Sequence, residues 1–168
     1  MPHSGQRITN PITGERIVFR RTTRQTDGAS LVFDVELRPG AVIAGAPHHH
    51  PHEERFLVTQ GRLVGWIAGQ GRISKGPGER FVVPSQADHV VANGALGRSR
   101  AEVEAVPGGD FDHLLETAFD LSHGRMRRAR EVARLMREQR VRISLVPDSL
   151  QERLMGSLSS VAPRGRAA

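Results

Sequence analysis

The residues best suited to chemistry lie in the stretch PHHHPHEERFLVTQG, residues 47–61. Four histidines fall within five positions and are followed at once by Glu53 and Glu54. Imidazole nitrogens and carboxylate oxygens together suit a borderline transition metal. The stretch therefore predicts a metal site, and a polar loop that is merely rich in histidine is the plainer alternative.

The spacing of these residues favours the metal site. On a strand, His48 and His50 point to the same face, and Glu54 is still in phase with them. Phe56 and Val58 continue that face and make it apolar. A carboxylate beside two imidazoles on an apolar face is costly to bury unless a cation neutralises it. Glu53 alternates with Glu54, so we expect Glu53 to face solvent rather than to act as a general base.

A further ligand must come from another strand. His89 opens the apolar run HVVAN after a proline turn, and it would complete a site of three histidines and one glutamate. Two other histidines are possible alternative ligands: His49, which points away on the same strand, and His52, which is in phase but follows Pro51. The sequence leaves that choice open.

The elements around these residues are predicted to be strands up to about residue 107. The alternating run SLVFDVELRPG, the short runs GPGERFVVP and HVVAN, and the alternating run RAEVEAVPGG all favour strands. RFLVTQGRLVGWIAGQG looks like two strands of a hairpin around Gln60-Gly61. We expect a β domain over residues 1–107, with its core at about 30–107.

A helical C-terminal extension is predicted over residues 108–168. DFDHLLETAFDLS has apolar residues at helical spacing, with Asp110 as the expected cap. GRMRRAREVARLMREQR has one apolar and one arginine-rich face, and DSLQERLMGSLSS favours a last short helix.

Composition excludes some chemistry. The chain of 168 residues has no cysteine and no tyrosine, so it has no disulfide, thiolate ligand or phenolic acid. No apolar run is long enough to span a membrane, and the N-terminus lacks the apolar core of a signal peptide. We therefore expect a cytoplasmic protein that is not bound to a membrane.

The net charge of +6 is local. Residues 125–142 hold eight arginines and two glutamates, which accounts for the whole excess. This basic helix could face nucleic acid or an acidic partner, but no aromatic residues alternate with its arginines. We favour a solvated face with local ion pairs and regard a nucleic-acid partner as the less favoured alternative.

The two histidine motifs resemble those of the cupins. His48-x-His50, three residues, Glu54, six residues and Gly61 match the first cupin motif. Gly78, five residues, Pro84-x-Gln86-x-x-His89-x-x-x-Asn93 match the second, with Gln86 in place of the family's glycine. That replacement is tolerable if the turn does not need a positive φ.

The resemblance implies a mainly β fold, namely a cupin barrel (a double-stranded β-helix or jelly roll), here followed by the helical extension. It implies His48, His50, Glu54 and His89 as ligands of one divalent transition metal ion. Iron, manganese, nickel, copper and zinc all suit this donor set. It also implies a homodimer, since cupins commonly pair through sheet edges.

The expected function is that of a metal-dependent enzyme acting on a small organic molecule. Dioxygenase, cyclase or isomerase, and decarboxylase reactions all occur in the family, and no catalytic residue beyond the ligands is identified. A mainly apolar pocket suits an aromatic or polyketide-like substrate. The alternative is a small-ligand binding or sensing protein without turnover. Six residues are pocket candidates: Phe33, Phe56, Trp66, Phe81, Val91 and Asn93.

Overall fold

The computed structural model describes residues 1–124 and 129–143, and within them it is mainly β. The strands are β1 (Arg7–Asn10), β2 (Glu15–Arg21), β3 (Leu31–Leu37), β4 (His48–His49), β5 (Glu53–Gln60), β6 (Leu63–Ile67), β7 (Gly71–Lys75), β8 (Arg80–Val83), β9 (His89–Asn93), β10 (Ser99–Val106) and β11 (Arg142–Ile143). The helices are α1 (Phe111–Ser122) and α2 (Ala129–Glu138), and short 3-10 turns lie at Thr23–Thr26 and Ile43–Gly45. The last predicted helix, in residues 149–160, lies outside the described residues.

The strands of the described part form two antiparallel sheets. One sheet has the order β1-β2-β3-β10-β5-β8, and the other has the order β11-β4-β9-β6-β7. Neighbours in the sheets are mostly distant in sequence, so the chain crosses repeatedly from one sheet to the other. This arrangement confirms the predicted mainly β fold of two packed sheets.

The core lies between the sheets and follows from the alternation of apolar residues. In β3, Leu31, Phe33, Val35 and Leu37 are buried, as predicted. In β10 the buried positions include Val103 and Ala105, whereas Glu102 is exposed. Strands β1 and β2 precede the predicted start of the barrel core and extend the first sheet beyond β3.

The predicted hairpin around Gln60-Gly61 is wrong. Strand β5 pairs with β8 and β10, whereas β6 pairs with β7 and β9, so the chain changes sheets at this point. Gly61 has a φ of 74°, and a Cβ there would lie 2.7 Å from the carbonyl oxygen of Arg98. Glycine is therefore required for the crossover, both for its backbone conformation and for the close approach of β10.

Both described helices pack against the barrel. Phe111, Leu114 and Phe119 of α1 and Leu135 of α2 join the hydrophobic core. The chain then returns to the sheets, because Ile143 of β11 pairs with His48 of β4. The helical extension is thus continuous with the barrel core at the end that carries the histidines.

The start of α1 differs from the prediction. Asp110 precedes the helix but makes no side-chain capping bond. Instead Asp112 accepts hydrogen bonds from the backbone N–H of Thr23, at 3.0 Å, and from its hydroxyl, at 2.8 Å. Asp112 therefore ties the helix to the 3-10 turn of the N-terminal region. None of the described helices is long and apolar enough to cross a membrane.

Candidate metal centre

The histidines of the two sequence motifs meet at one end of the barrel. His48 lies in β4 and His89 opens β9, and the two are direct partners across the antiparallel ladder. His50 follows β4 as the chain leaves that sheet, and Glu54 is the second residue of β5 in the other sheet. The sequence-based prediction of which side chains share a face assumed one continuous strand through these residues. That strand is not formed, because β4 and β5 lie in different sheets. All four side chains are nevertheless buried, because the chain keeps its alternation through the crossover.

Three imidazoles converge. One ring nitrogen each from His48, His50 and His89 lie within 4.8 Å of one another. Their ring centroids are separated by 4.3 Å between His48 and His89, 5.0 Å between His50 and His89, and 5.5 Å between His48 and His50. We call these residues the three-histidine cluster. Three neutral imidazole nitrogens at this spacing fit a transition metal site.

The backbone fixes which nitrogen each ring presents. The Nδ1 atoms of His48, His50 and His89 lie 3.0, 3.1 and 2.9 Å from the carbonyl oxygens of Ala46, His52 and Ala87. Because a carbonyl oxygen only accepts hydrogen bonds, each Nδ1 carries the proton. Each Nε2 is left with a lone pair, which is the form that binds metal.

Glu54 brings a carboxylate to the cluster. Its Oε2 lies 3.5 Å from His50 Nε2 and 3.9 Å from His89 Nε2. The Nε2 of His50 is buried and has no hydrogen-bond partner within the described residues. A buried nitrogen lone pair without a partner, next to a buried carboxylate, suits the binding of a cation. The donor set therefore fits a divalent metal ion.

The electrostatics of the centre lead to the same conclusion. Burial alone would raise the pKa of Glu54, but His50, together with His89 and His48, outweighs burial and lowers that pKa to about 2. Burial lowers the pKa of His48 to about 4, with added repulsion from His89 and His50. Burial opposes protonation of His50 too, yet the charge of Glu54 raises the pKa of His50. The carboxylate thus stays ionised and draws positive charge into a buried site.

The two alternative ligands lie outside the cluster. His49 faces away from it, and its Nδ1 lies 3.0 Å from Asp88 Oδ1. His52 is buried, and its Nδ1 donates a hydrogen bond of 2.6 Å to the carbonyl oxygen of Pro107. Its ring stacks on Phe111, with centroids 4.4 Å apart. His52 packs behind the centre, and its Nε2, like that of His50, is buried without a hydrogen-bond partner among the described residues.

The cluster borders a cavity of about 240 Å³. His48, His50 and Glu54 form part of its wall, and apolar side chains from the barrel and from both helices form most of the rest. Phe111, Leu114 and Phe119 of α1 and Val132 and Met136 of α2 close it on one side. The helical extension thus contributes directly to the pocket.

The pocket candidates from the sequence divide into two groups. Phe33 and Phe56 line the cavity, whereas the other four residues lie elsewhere. Trp66 is 45% exposed, and Phe81 and Val91 are core residues outside the cavity lining. Asn93 serves the turn after β9, where its amide donates to the carbonyl oxygens of Leu37 and Gly97.

Sequence reasoning missed two polar residues of the cavity wall, Asn10 and Glu15. Glu15 begins β2, is buried, and lines the same cavity as the three-histidine cluster. A signal for it was present, because Glu15 is in phase with Ile17 and Phe19, both of which are buried. The walls supplied by the two helices were missed because the sequence does not say where an appended helix packs.

Gln86 occupies the turn before His89 with a φ of 63°. This position therefore has the left-handed conformation that favours glycine. Glutamine was expected to be tolerated if the turn did not need a positive φ, and that expectation is wrong because the turn has one. The backbone N–H of Gln86 donates a hydrogen bond of 2.8 Å to the carbonyl oxygen of His50. The strained turn thus ties the His89 strand to the loop that holds His50.

Comparisons with known proteins agree with this geometry. The family model described as "Cupin domain" matches residues 33–101. No curated protein matches the chain. Among solved structures, the fold resembles a recombinant oxalate oxidase in complex with glycolate, with a TM-score of 0.50 at 22% identity. The match covers 64% of this chain and 57% of the oxalate oxidase chain.

Two further structures share the fold. A sugar phosphate isomerase of the cupin superfamily from Silicibacter pomeroyi has a TM-score of 0.50 at 21% identity, covering 62% of this chain and 75% of the isomerase. A predicted oxalate decarboxylase from Thermotoga maritima has a TM-score of 0.52 at 16% identity, covering 62% of this chain and 92% of that protein. At such identities these likenesses establish the fold alone. The family model, the two-sheet barrel and the three-histidine cluster agree, and residues 33–101 therefore form a cupin domain.

Proposed function

We propose that the protein is a metal-dependent cupin enzyme that acts on a small organic molecule. The observation that carries this proposal is the convergence of three imidazoles and one carboxylate beside a mainly apolar cavity, whose wall includes His48, His50 and Glu54. Such a pocket, with a few convergent polar groups, is typical of a small-molecule site.

The ligands of the metal ion are His48, His50 and His89 through Nε2, and Glu54 through its carboxylate. A divalent transition metal held there would supply Lewis-acid polarisation of a substrate oxygen or, if redox active, oxygen-dependent chemistry. The carbonyls of Ala46, His52 and Ala87 keep the imidazoles oriented. The apolar walls exclude water from the reacting groups, which strengthens electrostatic interactions inside.

The size of the cavity supports a substrate about as large as one substituted ring. A cavity of ~150 Å³ lined by apolar side chains holds benzene, and this one measures about 240 Å³. A single aromatic ring with one or two substituents fits that volume. Dioxygenase, cyclase or isomerase, and decarboxylase reactions are the types to be tested on such compounds.

The deciding experiment measures metal content per chain on tag-free protein, for the wild type and for His50→Ala, His89→Ala and His52→Ala. We expect about one metal ion per wild-type chain, lost in the first two variants and kept in the third. His52→Ala is the matched control, because it removes a buried histidine next to the cluster. A wild type without stoichiometric metal, even after reconstitution, would contradict the proposal.

Turnover then separates an enzyme from a binding protein. The metal that is found selects the assay: oxygen consumption for iron, copper, manganese or nickel, and isomerisation or decarboxylation for zinc. Metal-loaded protein that binds ring compounds without converting any of them would favour a sensing or storage role.

We also propose a homodimer, which is expected of a barrel with open sheet edges. In the described residues, β8 and β1 end one sheet and β7 and β11 end the other. Unpaired backbone groups at a sheet edge favour association with another chain, unless the edge is covered by other parts of the protein. A monomeric mass in light scattering at micromolar concentration would contradict this proposal.

A further inference from the structure

The cavity wall carries polar side chains besides those of the three-histidine cluster and Glu54. Among the lining residues that the structure describes, five are polar: Asn10, Glu15, His48, His50 and Glu54. The oxygen of the Asn10 side chain is engaged by its own turn, where it accepts from the backbone N–H groups of Ile12 and Thr13. Glu15 is therefore the remaining acidic group that faces the cavity.

Only one oxygen of the Glu15 carboxylate is satisfied. Oε2 accepts a hydrogen bond of 2.6 Å from the hydroxyl of Thr13 and one of 3.2 Å from the backbone N–H of Ala44. Among residues 1–124 and 129–143 the other oxygen, Oε1, makes no hydrogen bond, and it is not one of the fully buried atoms that lack a partner, so it is accessible although the residue as a whole is only 5% exposed. Since Glu15 lines the cavity, an accessible Oε1 can accept a hydrogen bond from a bound molecule.

The surroundings of Glu15 hold its carboxylate in place. Glu15 is the first residue of β2 and pairs with Leu37 of β3, and the two donors to Oε2 come from separate turns. Ala44 adopts a left-handed conformation, with φ of 55°, in the turn that donates to Oε2. A side chain fixed from two sides, with its free oxygen on a cavity, is already oriented to bind a ligand group.

We propose that Glu15 is a substrate-binding residue that accepts a hydrogen bond from a hydroxyl or ammonium group of the ligand, while oxygens at the ligand's other end face the three-histidine cluster. This inference rests on the proposed function, because it assumes a small molecule bound at the metal centre. It names the ligand class: a ring-sized apolar molecule with oxygen donors at one end and a hydrogen-bond donor at the other.

The protonation behaviour of Glu15 is consistent with this role. Burial raises its pKa, the bonds from Thr13 and Ala44 oppose that rise, and the charge of Glu54 adds to it. A donor group from the ligand, above all a cation, would relieve the cost of burying this carboxylate next to Glu54.

The test uses three probes that have equal numbers of non-hydrogen atoms. They are 4-(aminomethyl)benzoate, whose ammonium only donates hydrogen bonds, 4-methoxybenzoate, whose ether oxygen only accepts them, and apolar 4-ethylbenzoate. The same set with substituents at position 3 allows for a different reach across the cavity. Binding is measured by calorimetry on metal-reconstituted, full-length protein, with metal content determined on every sample.

We expect the wild type to bind one aminomethyl probe at least about tenfold more tightly than its ethyl counterpart, as is typical of a hydrogen bond to a charged group. Glu15→Met removes the acceptor, so the preference should disappear. Glu15→Gln gives a sharper result. Thr13 and Ala44 both donate to one oxygen, so they hold the amide oxygen there and leave the NH₂ group on the cavity. That variant should prefer the methoxy probe.

Ile17→Val is the matched control, because Ile17 lies on the same strand and lines the same cavity. It should keep the wild-type preference. An aminomethyl preference that is the same in the wild type and both Glu15 variants would overturn the role of Glu15, as would a wild type that binds none of the probes or prefers the ethyl compounds. Absence of metal from the wild type would instead contradict the proposed function, so the two failures are distinguishable.

Discussion

His48 and His89 are direct cross-strand partners in the β4–β9 ladder, with ring centroids 4.3 Å apart. Two ligand candidates from separate sequence motifs are thus held by one pair of strands. If both bind one ion, their contributions to metal-linked stability cannot be additive. We predict that metal at about 100 times its Kd raises the free energy of unfolding of the wild type by about 2.7 kcal/mol. His48→Ala, His89→Ala and the double variant should all lose this gain to the same extent.

Denaturant unfolding with metal and with chelator measures this prediction. A metal-induced gain that survives in either single variant and vanishes only in the double variant would show that the two histidines do not share an ion. His49→Ala is the control on the same strand and should keep the full gain.

Glu36 is predicted to stabilise the barrel through an ion cluster. Its carboxylate lies 2.8 Å from Arg98, 2.6 Å from Arg100 and 3.4 Å from Arg16. Burial would raise the pKa of Glu36, but hydrogen bonding and attraction from Arg100, with Arg16 and Arg98, lower it. Glu36→Gln should cost about 1 kcal/mol at neutral pH, because its partners lose their anion but the three arginines are about half exposed and solvent screens the pairs.

The pH dependence of that cost has a definite sign. A lowered pKa in the folded state stabilises the protein fully above the ordinary value of 4.5, and this contribution disappears as the pH falls through the folded pKa. The difference between wild type and Glu36→Gln should therefore be constant near neutrality and shrink below about pH 4.5. Unfolding curves at several pH values test this, with exposed Glu102→Gln as the control. A difference that grows on acidification would contradict the assignment.

Gly61 and Gly78 are both glycines of the sequence motifs, but they are predicted to differ in their tolerance of alanine. Each has a positive φ, 74° and 82°. A Cβ at Gly61 would lie 2.7 Å from the carbonyl oxygen of Arg98 and 2.8 Å from Ser99 Cα, whereas one at Gly78 meets nothing within 4 Å. Gly78→Ala should cost about 1 kcal/mol for conformation alone, and Gly61→Ala clearly more. Equal losses in thermal unfolding would show that β10 yields to the added methyl group.

Leu135 is predicted to hold the helical extension on the cavity. It is 1% exposed and belongs to the barrel core, whereas Arg134 beside it is exposed and pairs with Glu138 at 3.0 Å. Leu135→Ala should cost about 2–5 kcal/mol and should increase binding of a hydrophobic dye. Arg134→Ala should change stability by less than about 1 kcal/mol, because exposed ion pairs contribute little. Unchanged dye binding in Leu135→Ala would mean that α2 does not seal the cavity.

The sequence predicted most of the barrel, and three of the histidines that it singled out lie together in the structure. The alternation of apolar and polar residues was enough to predict β3, β9 and β10, since one face of each strand packs on the core. The spacing of the two motifs was enough to predict that His48, His50 and His89 lie together, because the number of residues between them suits the change from one sheet to the other.

The predictions that were wrong concern features that depend on contacts between residues distant in the sequence. Nothing local distinguishes a hairpin at Gln60-Gly61 from a change of sheet, since both need a turn between two apolar strands. Trp66 and Asn93 were predicted to line the pocket because of their residue types. The pairing of the strands instead puts Trp66 on the outer face and uses the Asn93 amide in a turn. The role of α1 and α2 as cavity walls depends on docking, which helical periodicity does not encode.

The Nδ1 bonds of the three-histidine cluster have a consequence for how such a site can change over time. All three acceptors are main-chain carbonyls, at Ala46, His52 and Ala87. Metal sites often rely on side-chain carboxylates for this purpose, and a single substitution can then remove the support. Here the support is set by the path of the chain, so side chains in the adjoining turns are free to diverge as long as that path is kept. The residues around the cavity can therefore diverge while the tautomers of the three histidines stay the same.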